Sequence, residues 1–90
     1  MGQVTFTKDP SAVLDYEINW ATWLDDDTIS TSDWIVPVGI TEHSSSNTTT
    51  TATIWLSGGT DGKSHEVTNR IVTAAGRTDD RTLTIKMKQR

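Results

Sequence analysis

An all-β sandwich of about seven antiparallel strands is the fold that this sequence predicts. Three observations carry it: apolar and polar residues alternate with period two in several runs, turn-forming residues recur between those runs, and no continuous helical pattern is present. The frequent threonines agree, because a β-branched side chain suits a pleated surface. Ninety residues make a single domain, 1–90, without internal repeat or linker. A chain of that length buries only about 60 to 65% of its unfolded surface. With 33% hydrophobic residues, the four tryptophans have to supply much of the core.

The elements follow in order. Val4 to Lys8 alternates and stops at Asp9-Pro10, which suits a first strand on an edge. From Val13 to Asn19, Leu14, Tyr16, Ile18 and the following Trp20 share one face, with Asp15 and Glu17 on the other. Leu14, Tyr16 and Ile18 are therefore assigned to the core. Ala21 to Leu24 is long enough for one helical or 3₁₀ turn, and Asp25-Asp26-Asp27 then makes a solvated turn. Thr28 to Val36 is extended, but Ile29 and Trp34 have opposite parity, which predicts a bulge near Ser32-Asp33. Pro37 ends that strand and Val38 to Ser45 forms the next. Ser44-Ser45-Ser46-Asn47 reads as the hairpin loop before a strand over Thr49 to Leu56, where Ala52, Ile54 and Leu56 point inward and Trp55 outward.

The closing half is the most regular. Ser57 to Gly62 contains three glycines and forces a change of direction. Ser64 to Thr73 then places His65, Val67, Asn69 and Ile71 on one face, Ala74 to Asp80 forms a turn, and Arg81 to Lys88 ends the sandwich with Leu83, Ile85 and Met87 inward. A glycine corner, a ring residue opening a long strand and a hairpin into the last strand is the order of an immunoglobulin-like sandwich, with His65 at the tyrosine-corner position. No cysteine is present for an inter-sheet bridge, so Val67 contributes apolar packing instead. Ile54, Leu56, His65, Val67, Ile71, Leu83 and Ile85 complete the expected core.

A net charge of −4 argues against a nucleic-acid partner, since phosphate binding needs clustered Lys and Arg. The basic run Lys86, Lys88 and Arg90 reads as solvent-side charge protecting the edge of a last strand. No apolar run is long enough to span a bilayer, and the first residues form neither a signal nor a transit peptide, so the expectation is a soluble chain made in the cytoplasm without membrane contact. Adjacent carboxylates at Asp25 to Asp27 lack the alternate spacing of a calcium loop. His43 and His65 have no nucleophile elbow, cysteine or metal-ligand spacing around them. No catalytic, metal or cofactor-binding residue is assigned.

Four tryptophans are too many for so small a core, and one or two should reach the surface. Trp55 is the first candidate for an exposed anchor, by its parity, and Trp23 the second, by its place in a connection. Asn69 puts an amide among inward apolar residues and must be hydrogen-bonded there. Arg70 points outward, where it could pair with Glu66 or Asp79 or meet a partner's backbone.

Leu56-Ser57-Gly58-Gly59-Thr60, Val67-Thr68-Asn69-Arg70-Ile71 and Ala75 to Arg81, with Lys8-Asp9-Pro10, Leu14-Asp15-Tyr16, Trp20-x-x-Trp23-Leu24 and Asp27-Thr28-Ile29 upstream, resemble a family of small bacteriophage tail-associated proteins. These are described as fiber-tail adaptor or head-tail-region proteins with an immunoglobulin-like fold. The resemblance spans nearly the whole chain; His65 stands where related sequences carry Tyr. It implies a virion component without an active site, made in the bacterial host cytoplasm. Its partners would be other phage tail or head-tail structural proteins, and it would be a monomer or weak oligomer in solution and oligomeric in the particle. The alternative is a module that binds host-surface glycans through exposed indoles.

Overall fold

The computed structural model describes residues 4–89, and the strand-rich prediction holds over them. In chain order the elements are β1 (Val4–Lys8), β2 (Leu14–Asn19), α1 (Ala21–Leu24), β3 (Ile29–Ile35), β4 (Ile40–Asn47), β5 (Thr51–Gly58), β6 (Ser64–Thr73) and β7 (Thr78–Met87). They form a four-stranded sheet in the order β1-β7-β6-β3 and a three-stranded sheet in the order β2-β5-β4. Inward side chains of both sheets, among them Tyr16, Ile18, Ile54, Leu56, Val67, Ile71, Leu83 and Ile85, join one buried cluster. His65 is buried at the same interface.

Not every strand is antiparallel. β1 lies parallel to β7, from Val4 opposite Leu83 to Lys8 opposite Met87. The chain turns at Asp9, whose carbonyl accepts the Ala12 N–H at 3.0 Å, and β2 crosses into the other sheet, leaving β1 beside the last strand. β7 is therefore flanked on both sides, by β1 and β6. The edge-protecting role expected of Lys86 and Lys88 is overturned, because β7 has no open edge; Arg90, the third residue of that expectation, lies outside the described residues.

Four further corrections concern burial and boundaries. Leu14 has the parity of a core residue but is 38% exposed, since it opens β2 at the end of the sandwich, where little lies above it. The segment Ser44 to Asn47 continues β4 instead of forming a loop. Its turn comes later, at Thr48, whose hydroxyl accepts the N–H groups of Thr50 and Thr51 at 3.2 and 3.0 Å. The β3 irregularity falls between Ile29 and Thr31 and not near Ser32-Asp33. Ile29 is held by its N–H to the Thr49 carbonyl at 2.8 Å, so its inward side chain is fixed first and the parity changes just after it. Finally, β7 begins at Thr78, so Asp79 and Asp80 belong to the strand and not to the turn.

One end of the sandwich is closed by glycines. Gly39 has φ +106°, and a Cβ there would lie 2.8 Å from the His65 ring. His65 itself reaches back along the chain, its Nε2 accepting the Thr60 N–H at a long 3.5 Å. Lys8, expected simply to end a strand, is fully buried at this end, its Nζ donating to the carbonyls of Gly58 and Asp9 at 2.8 and 3.0 Å. Desolvation pushes its pKa down, opposed by the Asp9 charge.

Candidate protein interface

Trp55 sits in β5, the middle strand of the three-stranded sheet, between Asp15 of β2 and Ser44 of β4. Its neighbours in sequence, Ile54 and Leu56, are fully buried, so alternation turns the indole outward. It is 40% exposed. Around it the outer face carries Asp15, Glu17 and Thr53, and the three strands of this sheet contain no Lys or Arg. A broad apolar ring among short polar side chains and two carboxylates can anchor a protein contact.

Trp23 has a different setting. It stands on α1, half-buried, with its ring packed edge-on against Trp20 at 5.4 Å between centroids. The Arg77 guanidinium lies over the Trp23 ring at 4.3 Å from its centroid. Arg77 also pairs with Asp27 (Nε to Oδ2, 3.1 Å) and donates from Nη2 to the Leu24 carbonyl at 2.9 Å, tying α1 to the β6–β7 turn. Asp27 is consequently more than a solvated turn residue. It accepts hydrogen bonds from the Thr73 hydroxyl, the Thr28 N–H, Arg77 and the Ala75 N–H, which hold its pKa down at about 2.

Arg70 does lie outward, and its partner is neither Glu66 nor Asp79. Asp80, directly opposite across the β6–β7 ladder, takes its Nε and Nη2 in a two-point contact at 2.8 and 3.0 Å. The pair lowers the Asp80 pKa and raises that of Arg70 through hydrogen bonding and charge. Both side chains remain substantially exposed.

Asn69 is fully buried and serves as a junction between sheets. Its Oδ1 accepts the Trp20 indole N–H at 3.0 Å, while its Nδ2 donates to Ser32 Oγ and the Asp33 carbonyl at 2.9 and 3.0 Å. Trp20 follows β2 of one sheet and Asn69 lies in β6 of the other. Arg81 lies over the Trp20 ring at 4.2 Å and donates to the Asn19 carbonyl at 3.0 Å. Sequence pattern located Asn69; it gave no sign of Arg77, Arg81 or Lys8 as tying residues, because their roles depend on pairings 50 or more residues away.

Trp55 and Arg70 thus face outward from opposite sheets, and Trp23 lies on α1 in the connection from β2 of one sheet to β3 of the other. Among the described residues, no group of three or more His, Asp or Glu is placed to hold a metal ion.

The family described as podophage GP4 fiber-tail adaptor protein gp77 matches residues 8–86. No curated protein matches the chain. Among solved structures, a 2,6-sialyltransferase of Photobacterium sp. JT-ISH-224, crystallised with CMP and lactose, superposes with a TM-score of 0.61 at 11% identity. The match covers 98% of this chain and 18% of that one, and at such low identity it speaks to fold alone.

Proposed function

From the premise that the chain belongs to the podophage GP4 fiber-tail adaptor protein gp77 family, we propose that it is a non-enzymatic component of the phage virion that joins tail and fiber proteins through protein contacts. The observation that carries this reading is the extent of the family match, residues 8–86, which takes in every element except parts of β1 and β7. The outward Trp55 supports it, with Arg70 on the opposite sheet as a second contact point. Trp23 belongs to the same proposed set, acting from beneath Arg77 and not as a bare indole.

Residues 1–90 are read as one immunoglobulin-like module. In support, β2, β5 and β4 face β3, β6 and β7, and His65, the second residue of β6, turns its ring back to the Thr60 backbone. The module is taken to be made in the host cytoplasm and to enter the particle by assembly.

Trp55→Ala tests the reading most cleanly, since the indole makes little of the core. The isolated variant should keep the parent's circular dichroism, while quantitative mass spectrometry of purified particles should find it lost from them. Full incorporation would remove Trp55 from the interface. A Trp fluorescence change on titration with host-surface glycans, absent in Trp55→Ala, would instead favour sugar stacking.

A further inference from the structure

The basic side chains are confined to one sheet and its flanks, while both sheets carry carboxylates, among them Asp33, Glu66, Asp79 and Asp80 on the four-stranded sheet. β2, β4 and β5 contain three carboxylates, Asp15, Glu17 and Glu42, and no Lys or Arg. All the described Lys and Arg residues belong to the four-stranded sheet or to segments flanking it. Four of these are engaged: Arg70 with Asp80, Arg77 with Asp27, Arg81 over Trp20, and Lys8 with two carbonyls. The amines of Lys63, Lys86 and Lys88 make no hydrogen bond or ion pair among the described residues.

Those three lysines line one shallow depression with Thr7 and Asp61, at the end where β1, β6 and β7 meet. Lys86 on β7 and Lys88 just past its end are both exposed, while Ile85 and Met87 point into the core. Asp61 accepts the Gln89 N–H at 3.0 Å, and Glu66 stands nearby on β6, so the amines outnumber the carboxylates there. An edge-protecting role is closed to them, because β7 is flanked on both sides. On the opposite side of the slab, Asp15 and Glu17 are exposed beside Trp55 and form no ion pair among the described residues. The outer faces lie farther apart than the roughly 10 Å between packed sheets. That exceeds the Debye length of about 8 Å at physiological salt, so the two sets cannot neutralise each other within one copy.

We infer that the chain associates with a second copy of itself head to tail: the Asp15–Glu17–Trp55 face of one copy docks on the Lys63–Lys86–Lys88 face of the next. This rests on the connector reading and names one of its partners. Because the two patches differ, the contact is heterologous, and the pair keeps one free patch of each kind, one on each copy. Charge complementarity sets the register and the encounter rate, and Trp55 supplies the apolar centre.

Sedimentation velocity of the purified chain, at about 20 mM and about 500 mM salt, tests the contact through screening. At low salt the average mass should rise with concentration; at high salt the apparent Kd should weaken by on the order of tenfold or more. Lys86→Glu with Lys88→Glu makes both faces acidic, and Asp15→Lys with Glu17→Lys makes both basic. Each variant alone should stay monomeric where the parent associates, and their equal mixture should associate again. Lys63→Glu with Lys86→Glu provides a second inversion if the first fails to fold by circular dichroism. A mixture of folded variants that stays monomeric, or a single variant that associates as strongly as the parent, overturns the contact. Loss of Trp55→Ala from particles alongside a monomeric mixture would leave the connector reading standing with other partners, so the two failures are told apart.

Discussion

Asn69 occupies an inward position of β6 between Val67 and Ile71, where an apolar residue would be the ordinary choice. Its amide instead meets the Trp20 indole, Ser32 and the Asp33 carbonyl, so both ends of the side chain are used. Asn69→Ala leaves the buried Trp20 N–H and the Asp33 carbonyl without these contacts. A destabilisation of about 1–3 kcal/mol is expected, read from the urea midpoint at unchanged m-value. A loss below about 0.5 kcal/mol would mean that water or a neighbour replaces the amide. The oddity of this residue was legible from alternation alone, and burial then obliges hydrogen bonding. Leu14 shows where the same rule fails. Alternation assigns a side of the sheet and says nothing of how much protein stands above it, and Leu14 opens its strand at the rim.

Among the elements, β7 and α1 gain most from contacts that no local pattern announces. Period two and the Leu83, Ile85, Met87 series mark β7 as a strand, but only pairing with β1 shows that it lies within the sheet. Neighbour relations are a property of topology, and parity cannot supply them. The four residues of α1 are too few to persist alone. They are held by Arg77, which reaches from the β6–β7 turn to the Leu24 carbonyl, the Trp23 ring and Asp27. The Asp27 carboxyl has a folded pKa of about 2 against an ordinary 3.8, so its contribution is present above about pH 3.8 and is lost as the pH falls through about 2. Urea midpoints should drop over that interval in the parent. They should drop less in Asp27→Asn, whose midpoint should already be lower near neutral pH. Equal acid sensitivity in the two would remove Asp27 from the account. Arg70 and Asp80 make a well-formed surface pair but a weak strut, because solvent screens both exposed charges.

At the scale of the whole molecule, the two sheets are stitched by pairings between distant parts of the chain, the most distant being β1 with β7. Such non-local pairings cost loop-closure entropy before they return any contact, so refolding should take milliseconds to seconds. Stopped-flow tryptophan fluorescence across a urea series would measure it, and microsecond refolding would contradict this account. The fold class was legible because seven alternating runs leave few alternatives to a sandwich. The confinement of Lys and Arg to one sheet and its flanks was not, because it appears only when strands are sorted by sheet and not by sequence order. The parallel β1–β7 pair has one more consequence, and it is mechanical. Tension applied through the residues before β1 and after β7 pulls these adjacent strands in opposite directions along their length. The load falls in shear on all of their cross-strand hydrogen bonds at once and does not peel them one by one. The same two strands that close the fold slowly would be the ones that hold it longest under a pull.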